Sequence, residues 1–198
     1  MKLPFSLPDK PLILASSSPR RAELLRRIGL ACEVQASAAP EDDLLHCPPR
    51  EMVQLLAERK ALTVAEKYER ALVIGADTTV VLDQQILGKP ASPAHAREML
   101  AMLSGRTHQV YTGFALLDQP SRRLMTGVED TSVTFRRLSP REIAAYVDTG
   151  AALDKAGAYG IQDFSAVFTE RIEGCFYNVV GLPLTRFYLA LQKFLEHQ

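Results

Sequence analysis

Apolar and polar positions alternate between two periods along the chain. Residues 11–15, PLILA, form a short continuous apolar run that predicts a buried strand. Three serines and Pro19 follow. Serine at the N-cap with proline at the first helical position predicts a helix from Pro19 to Ile28, with the serine oxygen accepting an orphan N–H and Gly29 ending the helix. ACEVQA reads as the next strand, and residues 37–48 as an acidic loop carrying Glu41, Asp42 and Asp43. Met52, Val53, Leu56 and Val64 then make a helical stripe inside a long helix from about Pro49 to Tyr68.

ALVIG, at 71–75, predicts a second buried strand, which TTVVLD continues to a turn at Gln84-Gln85. Ser92-Pro93 repeats the helix-start signature, for a helix ending near Gly105. HQVYTGFALLD and the stretch from Arg123 to Leu138 predict antiparallel strands around Gln119-Pro120-Ser121. Ser139-Pro140-Arg141-Glu142 is a capping box, opening a helix that ends near Gly150. A glycine-containing loop runs from Asp154 to Gln162. AVFTERI and CFYNVVG then flank a Glu173-Gly174 turn as a further hairpin, and an amphipathic helix runs from Pro183 to about Leu195. This irregular alternation predicts an α/β class, with a mixed, partly antiparallel sheet and flanking helices. Residues 1–10 read as an N-terminal extension and residues 11–198 as a single domain.

Composition narrows the partners. Lysine plus arginine and aspartate plus glutamate number 23 each in 198 residues, so the net charge is zero. A nucleic-acid polymer or an anionic membrane surface calls for a basic footprint, which argues against both. No apolar run approaches the ~18 residues of a membrane helix. Residues 1–10 carry Pro4 and Pro8 and no signal-peptide core. Cys32, Cys47 and Cys175 form no CxxC pair, and the histidines form no HxxxH pattern. A soluble cytoplasmic protein without a structural zinc site is the expectation.

A neutral chain can still hold a small anion, and several residues suggest where. Arg20 and Arg21 stand in the first turn of a helix, where the backbone dipole disfavours cations. An anion bound by Ser16, backbone N–H groups and guanidinium forks would resolve that conflict; a plain solvated helix start is the alternative. Arg26 and Arg27, near the helix C-terminus, suit the dipole and should face solvent. Asp77 follows VIGA at the expected carboxyl end of a strand, where α/β proteins place ligands. It is either an acid/base or metal ligand, or a loop cap. Lys60 on its helix, Lys89 in Gly88-Lys89-Pro90 and Lys155 in KAGAYGIQ are candidate cations or ordinary surface charges. Gln162 supplies the loop with an amide that can both donate and accept.

Together these segments resemble the Maf family of nucleoside triphosphate pyrophosphatases. LILASSSPRRAELLRRIG resembles its opening motif. AERKA around Lys60, VIGADTTV, LGKP, SGRTHQVYTGFAL, DKAGAYGIQ and NVVGLPL follow in the family's order, from Leu12 to Leu195. Arg20, Thr78 and Gln162 resemble the dTTP/UTP branch rather than the 7-methyl-GTP branch, which carries a tryptophan at the first place and an Asp-Gln pair at the second. The resemblance implies two lobes around a cleft in an ITPase-like fold, a divalent metal (Mg²⁺ or Mn²⁺), and hydrolysis of dTTP and UTP to monophosphate and pyrophosphate. It implies substrate contacts from Ser16, Arg20, Arg21, Lys60, Thr78, Lys89, Lys155 and Gln162, and a catalytic Asp77 that also meets the metal. Where the family often shows an Asp-Glu pair, Pro40-Glu41 stands here, leaving Glu41 or Asp42 as the second metal carboxylate. A homodimer is a further implication. The alternatives are a pyrophosphatase for another base, including inosine or 7-methyl-GTP types, and a non-enzymatic nucleotide-binding protein tied to septum or division control.

Overall fold

The apolar run after Pro11 forms the strand it predicts, β1 (Leu12–Ala15), in a computed structural model that describes residues 4–40, 44 and 46–196. Next come α1 (Pro19–Arg27), β2 (Glu33–Val34), α2 (Pro49–Ala65), β3 (Ala71–Leu82), β4 (Gln85–Leu87) and α3 (Pro93–Leu103). The chain continues through β5 (Thr107–Gln119), β6 (Leu124–Phe135), α4 (Pro140–Asp148), β7 (Thr169–Glu173), α5 (Phe176–Val180) and α6 (Leu184–Glu196). The strands make a seven-stranded sheet of order β2-β1-β3-β5-β6-β7, with β4 paired to β3. β1 is parallel to both β2 and β3, whereas β4 pairs antiparallel with β3 and β7 antiparallel with β6. The mixed, partly antiparallel α/β architecture expected from the pattern is therefore present.

The chain divides into two compact units. The first comprises Met1–Asp77, Thr112–Glu129 and Gly181–Gln198; the second comprises Thr78–Tyr111 and Asp130–Val180. In the first, Ala57, Ala61 and Val64 of α2 pack on Ile13, Val73 and Ala115. In the second, Leu100 and Leu103 of α3 and Ile143 and Val147 of α4 close over Leu87, Val110, Val133 and Phe135. Its aromatic centre stacks edge-on: Phe135 lies 5.0 Å from His108 and 4.8 Å from Tyr159 between ring centroids. Edge-to-face is the arrangement that ring quadrupoles favour.

Local chemistry sets the helix starts at α3 and α4. Ser92 accepts from the His95 amide, and Ser139 with Glu142 forms the complete reciprocal capping box. Several expectations need correcting. ACEVQA contributes only Glu33–Val34 to the sheet. The turn after β3 is Asp83-Gln84, one residue earlier than expected, with φ of 48° and 70° as a two-residue hairpin turn requires. AVFTERI is not one strand: Phe164–Phe168 forms a 3₁₀ turn and only Thr169–Glu173 is extended. CFYNVVG makes no hairpin arm; Phe176–Val180 is the short helix α5. Asn178 explains why. Its side-chain amide is buried and donates to Val110 O at 2.9 Å and Thr131 Oγ1 at 3.0 Å, a tertiary contact that local pattern does not encode.

Candidate active site

Ser16 follows the last residue of β1. Parallel pairing sets Ala15 opposite Gly75, so Ser16 stands level with Ala76, one residue before Asp77. Ser16 is 6% exposed. Its Oγ accepts from the Ser18 amide at 3.2 Å and from Arg21 Nη1 at 3.0 Å. A hydroxyl has two acceptor lone pairs and one O–H. With both pairs taken, Ser16 has its O–H left as a donor. The side chain expected to cap α1 differs: Ser18 makes no capping bond, and its own amide is taken up by Ser16.

Arg21 is buried, and its Nε donates to Gly181 O at 2.8 Å, fixing the first turn of α1. Arg20 is half-buried beside it. Arg26 and Arg27 are exposed, as their position predicts, and pair with Glu23. Hydrogen bonds from those guanidinium groups hold the Glu23 carboxyl below its ordinary value.

Lys60 does not sit on a solvated face. α2 rests its backbone directly on the sheet, because two glycines leave room. A Cβ on Gly75 would lie 2.0 Å from Ala57 O, and one on Gly113 would lie 2.2 Å from Val53 O. Three residues beyond Ala57, Lys60 reaches Asp77, two residues beyond Gly75. The Nζ–Oδ1 distance is 2.6 Å, with side-chain exposures of 13% and 12%. Asp77 itself is not at a strand end: β3 runs unbroken from Ala71 to Leu82.

In the second unit, Thr78 is half-buried in β3, while Lys89 and Gln162 are exposed. Gly157 N donates to Gly88 O at 3.1 Å, so the loops of Lys89 and Lys155 are tied together. Lys155 donates to Asp154 Oδ1 at 2.6 Å and to Ala151 O, with its side chain 12% exposed. The structure thus joins Ser16 with Arg21, Lys60 with Asp77, and the two lysine loops with each other.

A family model described as Maf-like protein matches residues 11–194. The chain belongs to the Maf-like family. Relatives of this Maf-like chain carry a common name. A Moorella thermoacetica protein named dTTP/UTP pyrophosphatase is 53% identical over 175 residues, 88% of this chain and 90% of its own. Proteins of the same name from Pelotomaculum thermopropionicum and Salinibacter ruber are 48% and 51% identical, covering 93% and 92% of this chain and 97% and 90% of their own.

A divalent cation asks for hard oxygen donors. Among the described residues, no three His, Cys, Asp or Glu side chains cluster as a metal cage. Glu41 and Asp42, the expected loop carboxylates, lie outside the described residues. Asp77 suits one kind of site: Mg²⁺ keeps several waters and takes one or two carboxylates together with substrate phosphates. Asp77, paired with Lys60, would be a carboxylate holding such a cation. Pattern reading of the Maf-like chain passed over Gly75 and Gly113, although a glycine inside an apolar strand does signal close backbone approach. It also passed over Gly181, whose carbonyl holds Arg21, and Asp163.

Proposed function

We propose that this chain hydrolyses dTTP and UTP to the nucleoside monophosphate and pyrophosphate, a house-cleaning activity on nucleotide pools. The buried Lys60–Asp77 pair carries the reading; the shared name of relatives up to 53% identical supplies the substrate class. In this reading water attacks the α-phosphorus, the bond from that phosphorus to the bridging oxygen breaks, and pyrophosphate leaves with the electron pair. Asp77 accepts the proton of the attacking water. Ser16 donates to a phosphate oxygen, and Arg20 and Arg21 lend positive charge at the start of α1. An ammonium carries three donors, so Lys60 can hold Asp77 and a phosphate oxygen together. Lys89 adds charge for the leaving group, Thr78 shapes the nucleoside pocket, and Gln162 pairs its amide with O4 and N3–H of the pyrimidine.

Mg²⁺ or Mn²⁺, held by Asp77 and by Glu41 or Asp42, would neutralise phosphate charge and acidify water. Free cysteines are consistent with a cytoplasmic setting. A homodimer belongs to the same reading on the strength of the family resemblance, and light scattering tests it.

Pyrophosphate release from a panel of nucleoside triphosphates, with Mg²⁺ and with Mn²⁺, tests the activity. UTP and dTTP should be the best substrates. Asp77→Asn should lower kcat by about 100-fold or more, the scale of a lost general base, while nucleotide binding persists. Release from no triphosphate would favour the binding-only alternative, and a preference for another base would move the substrate.

A further inference from the structure

Asp163 is the centre of a hydrogen-bond cluster in the second unit. Its Oδ1 accepts from the Ser165 amide at 2.9 Å and lies 2.6 Å from Ser165 Oγ. Its Oδ2 lies 3.2 Å from the Tyr146 hydroxyl of α4 and 3.5 Å from Lys155 Nζ. The Ser165 hydroxyl accepts from the Gly160 amide at 2.9 Å and lies 2.8 Å from Gly160 O. The Asp163 amide also donates to Gly160 O, at 3.1 Å. Residues 160–165 are thereby closed into a ring around one carboxylate.

Gln162 stands at the outer edge of that ring. Ile161 before it is buried, Asp163 after it is bonded on two sides, and Gln162 is exposed. Gly160 packs against both clamp side chains: a Cβ there would lie 2.6 Å from Lys155 Cε and 2.8 Å from Asp163 Oδ2 and would displace them. Burial above all, with the neighbouring Asp163 charge, pushes the Tyr146 phenol up to about 12, so it stays a donor at every working pH.

We propose that Asp163, braced by Lys155 and Tyr146, is a positioning residue that sets the aim of Gln162 and with it the selection of the base. The proposal rests on the reading that Gln162 contacts the pyrimidine. An amide that pairs one donor and one acceptor with a base edge discriminates only when its backbone is fixed; a loosened loop must be ordered anew at each binding event. Lys155 acts here through Asp163 and the loop rather than by touching phosphate. Loosening this clamp should therefore raise KM and flatten base choice while kcat holds.

Steady-state kinetics with UTP and CTP on wild type, Asp163→Asn, Gln162→Ala and the double variant Gln162→Ala/Asp163→Asn test this. Asp163→Asn should raise KM for UTP by about tenfold, keep kcat within about twofold, and lower the UTP/CTP ratio of kcat/KM towards that of Gln162→Ala. In the double variant the ratio should fall no further than in Gln162→Ala, because the clamp acts through that side chain. Tyr146→Phe removes the hydroxyl that meets both Asp163 oxygens and should shift the ratio in the same direction, which keeps the test open if Asp163→Asn folds poorly. If Gln162→Ala shifts the ratio and Asp163→Asn and Tyr146→Phe do not, the clamp is overturned and the base-reading role stands. If Gln162→Ala leaves the ratio unchanged, both fall together.

Discussion

Single residues show how burial redirects ordinary chemistry. His108 of β5 is 1% exposed, with Nε2 2.8 Å from the Tyr159 hydroxyl. Burial holds its imidazole down at about 4, against 6.5 for an exposed histidine. Between those two values the unfolded chain binds a proton that the folded chain refuses, so stability rises with pH there. The contribution is complete above pH 6.5 and is lost as the pH falls towards 4. At 1.36 kcal/mol per pKa unit this comes to about 3 kcal/mol. Urea unfolding of wild type and His108→Gln at pH 4.5 and 7 should show a smaller loss on acidification in the variant. An unchanged slope would assign the acid sensitivity to other groups. Lys60 and Asp77 illustrate what pattern reading can reach at this scale. The residue types and their motifs are legible, yet a helix surface position looks the same whether water or a buried carboxylate lies beyond it.

Among elements, the decisive contact is backbone against backbone, α2 upon β3 and β5. Overpacking a filled core costs 1–3 kcal/mol, and at Gly75 the atom in the way is a carbonyl oxygen 2.0 Å off. Gly75→Ala should therefore cost about 3 kcal/mol, a Tm drop of roughly 6–12 °C for a domain of this size. Activity should fall too, since α2 carries Lys60. Gly88→Ala is the control for stability: a Cβ there meets nothing within 4 Å. Calorimetry separates the two, and equal Tm values would remove the close contact from the account. Most helix starts were legible because caps are local chemistry: Ser92 and the Ser139–Glu142 box act within three residues. AVFTERI and CFYNVVG were not, because Asn178 and Ser165 settle those segments through partners far along the chain or through side-chain bonds outside any period.

For the molecule as a whole, the N-terminal residues belong to the packing of the first unit. Lys10 pairs with Asp118, both side chains nearly buried, and Phe5 lies 5.3 Å from Tyr188 of α6 between ring centroids. Burial pushes the Asp118 carboxyl up, but the Lys10 ammonium and the Ser121 hydroxyl outweigh it and hold the group below its ordinary value. Deleting residues 1–10 takes the ammonium from that carboxylate and leaves it the Ser121 hydroxyl and the Arg123 charge, at a cost of about 1–3 kcal/mol. The sign follows from the lowered value: the loss should be full near neutral pH and shrink as acid protonates Asp118 in both forms. Chemical denaturation at pH 7 and pH 3 reads this directly, and a pH-independent loss would point to the Phe5 contact instead. The α/β class was legible from the alternation of periods, whereas the membership of the units was not, since it depends on which distant segments pair. That membership has a consequence for synthesis. The second unit is assembled from residues 78–111 and 130–180, whereas the first needs residues 181–198 as well. A chain leaving the ribosome therefore holds every segment of its second unit before its first can be finished. Ser16, Lys60 and Asp77 are translated before the second unit is complete, yet Arg21 receives its Gly181 carbonyl only after all of that unit has been made.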